Sequence, residues 1–347
     1  MPVFTSRSHV LSAVLLATTA LYAAGAHAQS QVQSPPMAEL DEVVVTAAGR
    51  EQQVKDAPAS VSVITRETLE QAPYRQITDA LLDIPGVTIT PGEGNSRDIS
   101  IRGLGSAYTL ILVDGKRLNS RESRTNGGNI AESGLLPPVE MIERIEVVRG
   151  PMSSLYGSDA MGGVINVITR RIGDEWTGSF RANGTAQTDG DYGDYFDAGV
   201  YASGPLIAET LGLQLSASMN RRAEDDILTG SPERKDNSLS AKLGWSLSPD
   251  HDLLFEAAYY DQESLQTAGR TAAVSATAPE GTESIQSQER FVYSINHSGM
   301  WGRATSQSFI QFEDATRKET NVNIKNTVAQ TAWIVPIGAH ILNIGAY

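Results

Sequence analysis

Apolar and polar residues alternate along several segments in the second half of the chain. The clearest segments are 176–183, 211–220 and 239–248, where every second residue is apolar or small and the residues between are mostly polar. A period of two places successive side chains on opposite faces of a β-strand. Weaker segments with the same period follow at 253–261, 291–298, 307–313, 328–335 and 340–347. The second half is therefore predicted to form antiparallel β-strands, about nine in number.

The first half of the chain shows shorter and more mixed patterns. Short apolar runs rich in β-branched residues predict strands at 61–64, 87–90, 99–102, 109–113, 145–148 and 164–169. Thr65 is placed to cap a helix over 66–71, and Pro85 ends a second helix over 77–84. Pro137 begins one or two helical turns that run through Glu143. This mixture predicts an α+β domain.

The first 28 residues have the features of a secretory signal. Arg7 precedes an apolar run over 10–24 that is too short to span a membrane, and Ala26-His27-Ala28 forms an A-x-A cleavage site. We therefore predict that a signal peptide, residues 1–28, is cleaved and that the mature chain is exported from the bacterial cytoplasm. Residues 29–50 begin with a polar, Pro-containing stretch and are predicted to form a flexible leader.

Two β architectures fit the alternating segments. A soluble β-sandwich shows the same period, whereas strands of about ten residues with this period are typical of outer-membrane barrels. The signal peptide, aromatic residues near segment ends such as Trp176 and Trp301, and the alternation of short and long connections favour the barrel. Within it, we predict a long extracellular loop at 265–288 and a tight periplasmic turn at 248–250.

Composition excludes several classes of function. The chain of 347 residues carries a formal net charge of −14 and contains no cysteine. The acidic balance argues against nucleic acid as a partner, and disulfides, thiolate metal sites and cysteine nucleophiles are excluded. Two of the five histidines lie in the signal peptide, and the others lack metal-ligand spacing. We expect no catalytic residue, no metal site and no cofactor, and hence no enzyme.

Residues 41–171 resemble a known domain. The run IERIEVVRGP at 142–151, followed by YGSDAMGGVINVIT at 156–169, is similar to the plug domain of the TonB-dependent outer-membrane receptors. The runs DALLDIPGV at 79–87 and ISIRGLG at 99–105 extend the resemblance. It implies a plug domain at 51–171, the start of a transmembrane barrel at 172–347, and a place among the lipids of the outer membrane of a Gram-negative bacterium.

The strand count is small for a barrel that encloses a plug. Barrels of eight strands are filled by their own side chains, and plugged transporters use about 22 strands. We therefore expect the chain to be the N-terminal portion of an incomplete barrel, and we expect it not to transport by itself.

An isolated extended segment lies ahead of the predicted plug. It is acidic at its start and β-branched in its middle, so it suits pairing with the sheet edge of a partner. The ordinary first strand of the domain is the alternative interpretation. The resemblance implies that this segment is a TonB box, pulled by TonB and its inner-membrane energising complex. Its residues are Glu42, Val43, Val44, Val45, Thr46 and Ala47.

Two polar connections of the plug are candidates for ligand binding. They cover residues 91–97 and 118–129, and arginines with hydroxyl and amide donors on an acidic chain suit an anionic, oxygen-rich ligand. The run SAYTLILVDGKRLNSR at 106–121 most resembles the catecholate siderophore and colicin I receptors. This implies a ferric siderophore as the transported ligand. The candidate plug-apex residues are Arg97, Ser120, Arg121, Arg124 and Asn126.

The sequence is also compatible with other ligands and other classes of protein. A haem or cobalamin receptor is one alternative, although the plug region has no histidine to ligate haem iron. A surface protein that does not transport, such as an adhesin or an attachment site for a colicin or a phage, is another. Such a protein would not need the TonB box.

Two arginines are candidates for coupling the plug to the barrel. Arg102 and Arg149 each end a predicted strand at an Arg-Gly pair, and the resemblance places both in a lock region where plug arginines pair with glutamates of the barrel wall. We expect those wall glutamates to lie beyond residue 347. Partial compensation within the plug, or a solvated helix face, is expected for Glu140, Glu143, Arg144 and Glu146.

Overall fold

A computed structural model describes residues 44–45, 52–53, 60–71, 74, 77–91, 97–118, 136–319, 321–338 and 340–346. All of them belong to one compact unit, Asp41–Tyr347. This unit contains a mixed N-terminal domain, residues 60–171, and a sheet of nine antiparallel strands, which we call the wall. Among the described residues, no helix is both long and apolar enough to cross a membrane.

Short strands and helices build the N-terminal domain. Strands β1 (Val44–Val45) and β2 (Gln52–Gln53) pair ahead of it, and within it β4 (Val87–Pro91) pairs with β5 (Arg97–Ile101). The main sheet contains β3 (Ser60–Thr65), β6 (Thr109–Val113), β7 (Lys116–Arg117), β8 (Ile142–Arg149) and β9 (Gly163–Thr169). Its order is β3-β8-β9-β6-β7, so β3 and β7 are the two edges. The helices are α1 (Arg66–Gln71), α2 (Ile77–Leu81) and α3 (Ser153–Tyr156), with 3₁₀ turns at Ser106–Tyr108, Val139–Met141 and Ser158–Ala160.

Both faces of this sheet are covered, which explains why its central strands carry buried apolar residues on both faces. Ile145 and Val147 of β8 are buried in a cluster with α1, α2 and the β4–β5 pair. Val148, the next residue, is buried in a second cluster on the other face, together with Val164 and Met152. Successive residues of a strand point to opposite faces, so β8 is buried on both faces, and the charged residue between Ile145 and Val147, Glu146, is wholly buried as well.

The local predictions for this domain are largely confirmed, with one correction. The Thr68 backbone N–H donates to Thr65 Oγ1 at 3.4 Å, as expected for a cap of α1. However, the helical turns predicted after Pro137 shrink to the single 3₁₀ turn Val139–Met141, and β8 already begins at Ile142. Ile142 pairs with Thr169 of β9, so sheet pairing overrides the local helix signal.

The nine strands of the wall follow one another in sequence order. They are β10 (Thr177–Thr185), β11 (Tyr195–Ile207), β12 (Leu211–Arg222), β13 (Glu233–Ser248), β14 (His251–Thr267), β15 (Glu283–Trp301), β16 (Ala304–Arg317), β17 (Val322–Ile337) and β18 (His340–Ala346). Connections at one end are tight, such as 249–250 and 302–303, and we call it the short-turn end. Connections at the other, the loop end, include 223–232 and 268–282.

The predicted strands of the wall agree with the structure except in two places. Strand β11 was not predicted, because the positions that share a face with Val200 hold small residues such as Ala198 and Ala202 and so lack a clear period. The loop predicted at 265–288 is shorter, since β14 continues to Thr267 and β15 begins at Glu283. The tight turn at 248–250 is confirmed by the pairing of Ser248 with His251.

The wall has its apolar face outside. Leu239 of β13 is 57% exposed, whereas Ser240 and Lys242, on the opposite face of the same strand, are 5% and 7% exposed. Phe180, Tyr293 and Phe312 are likewise exposed large apolar or aromatic side chains. In a soluble sandwich the apolar face is buried against a second sheet, so that alternative is wrong. An apolar outer face and a polar inner face are the pattern of an outer-membrane barrel.

The start of β9 provides a test of packing in the N-terminal domain. A Cβ at Gly163 would lie 2.3 Å from the Val148 carbonyl oxygen and 2.9 Å from Ile101 Cδ1. We expect Gly163→Ala to lower the free energy of unfolding of this domain by about 1–3 kcal/mol, the usual range for overpacking. The measurement is the urea concentration at which the domain becomes sensitive to protease. Gly105→Ala is the matched control, because no atom lies within 4 Å of that Cβ position; equal midpoints for the two variants would contradict this packing.

Candidate functional site

The turn after β6 carries two charged side chains of the N-terminal domain to the wall. Asp114 and Gly115 have φ angles of 51° and 76°, the left-handed geometry of a two-residue hairpin turn for which Asp-Gly is a preferred pair. Val113 pairs with Lys116 across the turn. The side chains of Asp114 and Lys116 both reach residues on the inner face of the wall.

Four charged side chains meet at this point and balance one another. Lys242 Nζ lies 2.9 Å from Asp114 Oδ2 and 2.8 Å from Glu256 Oε1. Lys116 Nζ pairs with Glu256 Oε2. Two ammonium groups therefore face two carboxylates, and this charge cluster, formed by Asp114, Lys116, Lys242 and Glu256, is neutral. It joins the N-terminal domain to the adjacent strands β13 and β14.

Hydrogen bonds complete the charge cluster. Thr169 of β9 donates its hydroxyl to Asp114 Oδ2 at 2.6 Å and its backbone N–H to Asp114 Oδ1 at 2.8 Å. Asn296 of β15 donates to Glu256 Oε2 at 2.9 Å. Burial opposes ionisation of Asp114, but the Lys242 and Lys116 ammonium groups and the Thr169 hydroxyl together outweigh it and hold the pKa of Asp114 below its ordinary value. A buried charge of this kind is tolerated because it is paired and hydrogen-bonded.

A second set of contacts holds the chain just after β7. Arg290 Nη2 of β15 donates to the Leu118 carbonyl oxygen at 3.0 Å, and Gln311 Nε2 of β16 donates to the Arg117 carbonyl oxygen at 3.3 Å. Arg290 Nε is itself paired with Glu313 Oε1 at 2.6 Å, and both side chains are 3% exposed. The wall therefore holds two consecutive carbonyl groups of the N-terminal domain.

The 3₁₀ turn Val139–Met141 makes a third contact, near the first strands of the wall. Glu140 Oε1 lies 2.9 Å from Arg181 Nε of β10. The hydroxyls of Ser216 and Ser240 donate to Met141 Sδ at 3.5 and 3.2 Å. Glu140 therefore does not lie on a solvated helix face. Glu146, wholly buried, pairs with Arg144 at 2.9 Å, so the solvated-face interpretation is wrong for that residue as well.

Comparisons with known proteins agree with this architecture. The family model for the TonB-dependent Receptor Plug Domain matches residues 53–164. The Iron-regulated outer membrane virulence protein of Vibrio cholerae is 43% identical over 327 residues, which are 94% of this chain and 49% of that protein. The Ferric enterobactin receptor PirA of Pseudomonas aeruginosa is 34% identical over 90% of this chain and 46% of its own length. The crystal structure of the siderophore receptor PirA from Acinetobacter baumannii superposes with a TM-score of 0.71 at 29% identity, covering 87% of this chain and 49% of that one.

This chain belongs to the TonB-dependent receptor family. Its N-terminal domain is the plug domain of that family, and the wall is an incomplete barrel of nine antiparallel strands among the described residues. The chain spans about half the length of the relatives that it matches. The charge cluster, the Arg290 contact and the Glu140 contact are therefore the interface between the plug domain and the barrel wall.

The predicted lock arginines lie close together in the plug domain. Arg149 donates to the Pro85 carbonyl oxygen at 2.6 Å and to Ser62 Oγ at 2.8 Å. Arg102 has a left-handed φ of 52°, and a Cβ at Gly150 would lie 3.7 Å from its Nη1 atom. Between these arginines and the described part of the wall there is no ion pair. Their role in a lock stays a prediction.

Most of the other predicted site residues lie outside the described part of the chain. This holds for Ser120, Arg121, Arg124 and Asn126 of the predicted apex and for Glu42, Val43, Thr46 and Ala47 of the predicted TonB box. Arg97 begins β5 and pairs with Pro91. Val44–Val45 forms β1 and pairs with Gln52–Gln53. Their binding roles stay predictions.

Apart from Glu140, the sequence does not single out the residues of the plug–wall interface. Lys242, Glu256 and Arg290 are charged residues on inner faces of wall strands whose other residues are mostly uncharged. A charged residue in the middle of a membrane strand's polar face is a usable signal, because the lumen side is where such charges are accommodated. The identity of their partners in the plug domain depends on the tertiary fold.

Removal of one cation tests the charge cluster. We expect Lys242→Met to lower the free energy that holds the plug domain against the wall by about 3–5 kcal/mol, the usual cost of leaving a buried charge without its partner. The measurement is the urea concentration at which the plug domain becomes sensitive to protease while the wall stays folded. Lys235→Met is the control, because Lys235 is 45% exposed and pairs with Glu233 and Glu263, an exposed arrangement worth about 1 kcal/mol or less. A loss no larger than that of the control would contradict the buried pairing.

The lowered pKa of Asp114 predicts a dependence on pH. A carboxyl group whose pKa is lower in the folded state stabilises that state above its unfolded pKa of about 4, and this contribution disappears as pH falls through the folded value. We therefore expect Asp114→Asn to be less stable than the unmodified protein at neutral pH, and the difference to narrow on acidification below about pH 4. Urea midpoints measured between neutral and acidic pH check this expectation. A constant difference across that range would show that Asp114 does not act through its charge.

Proposed function

We propose that this chain acts, within a receptor of the family's full length, in the TonB-driven uptake of a ferric siderophore of the catecholate class across the outer membrane. The observation that carries the proposal is a plug domain held by buried charges against the polar face of a wall whose other face is apolar. A wall with an apolar outer face fits lipid, and a plug domain inside it controls passage. The loop end faces the outside in this proposal, and the short-turn end faces the periplasm.

The relatives support the class of ligand. One of them is named for its regulation by iron and another for ferric enterobactin, a catecholate siderophore. The polar segment 118–129 of this chain supplies Arg121 and Arg124 among hydroxyl and amide groups, which suits an anionic complex rich in oxygen. We propose that the iron complex is the cargo, and that the chain holds no resident metal, no cofactor and no catalytic residue.

The order of the plug sheet suggests how force would enter. The predicted TonB box precedes β3, an edge strand whose partner in the sheet is β8. The opposite edge, β7, carries Lys116 of the charge cluster. A pull on the TonB box would therefore act first on β3. The contacts between β7 and the wall, at the opposite edge of the sheet, would be the last to be loaded. In this mechanism β3 separates from β8, and the hydrogen bond from Arg149 to Ser62 Oγ breaks. The β6–β7 hairpin stays in place.

A substitution in the predicted TonB box tests the proposal. Val44→Pro removes a backbone N–H that a partner strand would use. We expect uptake of ferric enterobactin labelled with radioactive iron to be lost, while equilibrium binding of the same complex to the cells is unchanged. Val44→Ala keeps the N–H and serves as the matched control with normal uptake.

Each outcome distinguishes among the possible functions. Normal uptake by the Val44→Pro variant would exclude a TonB-driven mechanism through this segment. Binding of haem or cobalamin in place of ferric enterobactin would assign the receptor to another ligand class. Attachment of a colicin or phage without any uptake by the unmodified receptor would indicate a surface protein that does not transport.

A further inference from the structure

The Lys242 ammonium has three hydrogen-bond partners, and two of them belong to the plug domain. Its Nζ atom lies 2.9 Å from Asp114 Oδ2 and 2.6 Å from Thr169 Oγ1, both in the plug domain. The third partner, Glu256 Oε1 at 2.8 Å, belongs to the wall. An ammonium group has three donors and no acceptor, so separation of the plug domain from the wall would leave two of these donors without their partners.

The wall supports Glu256 more fully than it supports Lys242. If Lys116 leaves with the plug domain, Glu256 Oε2 keeps the hydrogen bonds from Ser294 Oγ at 2.5 Å and from Asn296 Nδ2 at 2.9 Å, both on β15. Within the described part of the wall, Lys242 has no partner besides Glu256. The wall therefore completes the carboxylate of this pair but not the ammonium.

A buried glutamine stands directly opposite Lys242 on the inner face of the wall. Gln214 of β12 pairs with Lys242 of β13 in the strand register, which places their Cβ atoms about 5 Å apart. The Gln214 side chain is 1% exposed, and neither its Oε1 nor its Nε2 atom has a hydrogen-bond partner among the described residues. A buried amide whose hydrogen bonds are unmade is unfavourable. An unused acceptor thus lies beside an ammonium whose donors are all taken.

The other neighbours of Gln214 are hydroxyl groups. Ser203 of β11 pairs with Gln214, and Tyr201 lies two residues earlier on the same face. Both are 1% exposed, and their side-chain oxygens also lack a hydrogen-bond partner in the part of the chain that the structure describes. The chain between β9 and β10 covers this part of the wall, since the Arg170 guanidinium lies 3.9 Å from the centre of the Tyr201 ring. Of the two residues directly opposite Gln214, only Lys242 is charged.

We propose that Gln214 is a reserve hydrogen-bond partner for Lys242. When the plug domain leaves the wall, Gln214 Oε1 accepts an ammonium N–H in place of Asp114, and Lys242 keeps its pair with Glu256. Because a buried cation that loses its partners is costly, this exchange makes release of the plug domain easier. It concerns the release itself and holds whatever ligand the receptor transports.

The competing explanation is that Gln214 only fills space between the wall and the chain that covers it. Gln214→Leu removes the amide and keeps a side chain of similar size. If Gln214 serves Lys242 after release, the substitution destabilises the released state. We then expect the equilibrium constant for plug release to fall about tenfold, the effect of losing one hydrogen bond to a charged group. Easier release would show that Gln214 supports the docked plug domain, and would overturn the proposal.

A double-mutant cycle with Lys242→Met separates the exchange from the simple removal of a buried amide. The full-length receptor and its three variants are compared in outer-membrane vesicles. Protease sensitivity of the plug domain across a urea series gives the release constant, while the wall keeps its heat-dependent shift in electrophoretic mobility. All samples contain the same concentration of sucrose, which favours burial and keeps the weaker Lys242→Met variant within the measurable range.

The exchange requires that the two substitutions depend on each other. We expect Gln214→Leu to lower the release constant about tenfold more in the receptor that keeps Lys242 than in the Lys242→Met background. Equal effects in the two backgrounds would overturn the proposal, because the amide would then act without the ammonium.

Two further variants sharpen the comparison. Gln262→Leu is the matched control, because Gln262 is a 5% exposed wall glutamine whose Oε1 atom also lacks a partner among the described residues. It lies opposite Asp236 and Gln288 rather than Lys242, so we expect its release constant to equal that of the unmodified receptor. Gln214→Asn keeps the amide on a shorter side chain, and we expect an intermediate constant. An equal fall in Gln262→Leu would show a general effect of buried amides and contradict the exchange.

Discussion

The ammonium group of Lys242 lies on the inner face of the wall, within reach of two carboxylates and shielded from solvent. An ion in such a place costs several kcal/mol of hydration, which only close partners offset. One of those partners, Asp114, belongs to the plug domain and the other, Glu256, to the wall. Lys242 keeps one partner, Glu256, within the wall, and the plug domain supplies the second, Asp114. The plug domain also contributes Lys116, whose partner Glu256 belongs to the wall. Each part therefore gives a second opposite charge to an ion pair that is buried at the interface.

The two edges of the plug sheet differ in their contacts. The β7 edge is tied to the wall through Lys116 and through the carbonyl groups of Arg117 and Leu118. The β3 edge is tied to its neighbour β8 and to the Arg149 side chain. A domain built in this way need not leave the wall as a unit, since its N-terminal edge can separate while the edge that leads to the predicted binding segment keeps its contacts.

The parts of the fold that the sequence predicts are those decided by neighbours along the chain. The run from Val164 to Thr169 is rich in β-branched residues, with Asn166 as an interruption, and forms β9, and Thr65 caps α1 as its position before Arg66 indicates. Strand alternation predicts eight of the nine wall strands, since side-chain period is a local property. The charge cluster escapes prediction because Asp114 and Lys242 are brought together by the fold, 128 positions apart in the chain. The sequence shows the charges without their pairing.

Strand β11 shows why tertiary contacts can erase a local pattern. A Cβ at Gly199 would lie 2.7 Å from Glu140 Cδ of the plug domain, and a Cβ at Gly204 would lie 2.5 Å from the Trp176 ring. Both positions are therefore kept small by side chains that arrive from elsewhere. Gly212 of β12 is limited in the same way by Ile172, whose Cγ2 would lie 2.5 Å from a Cβ there. Gly204, on the same face as Val200, contributes to the weak period of β11. Gly199, on the opposite face, marks a point where the plug domain packs closely against the wall, and Gly212 marks one where Ile172 does.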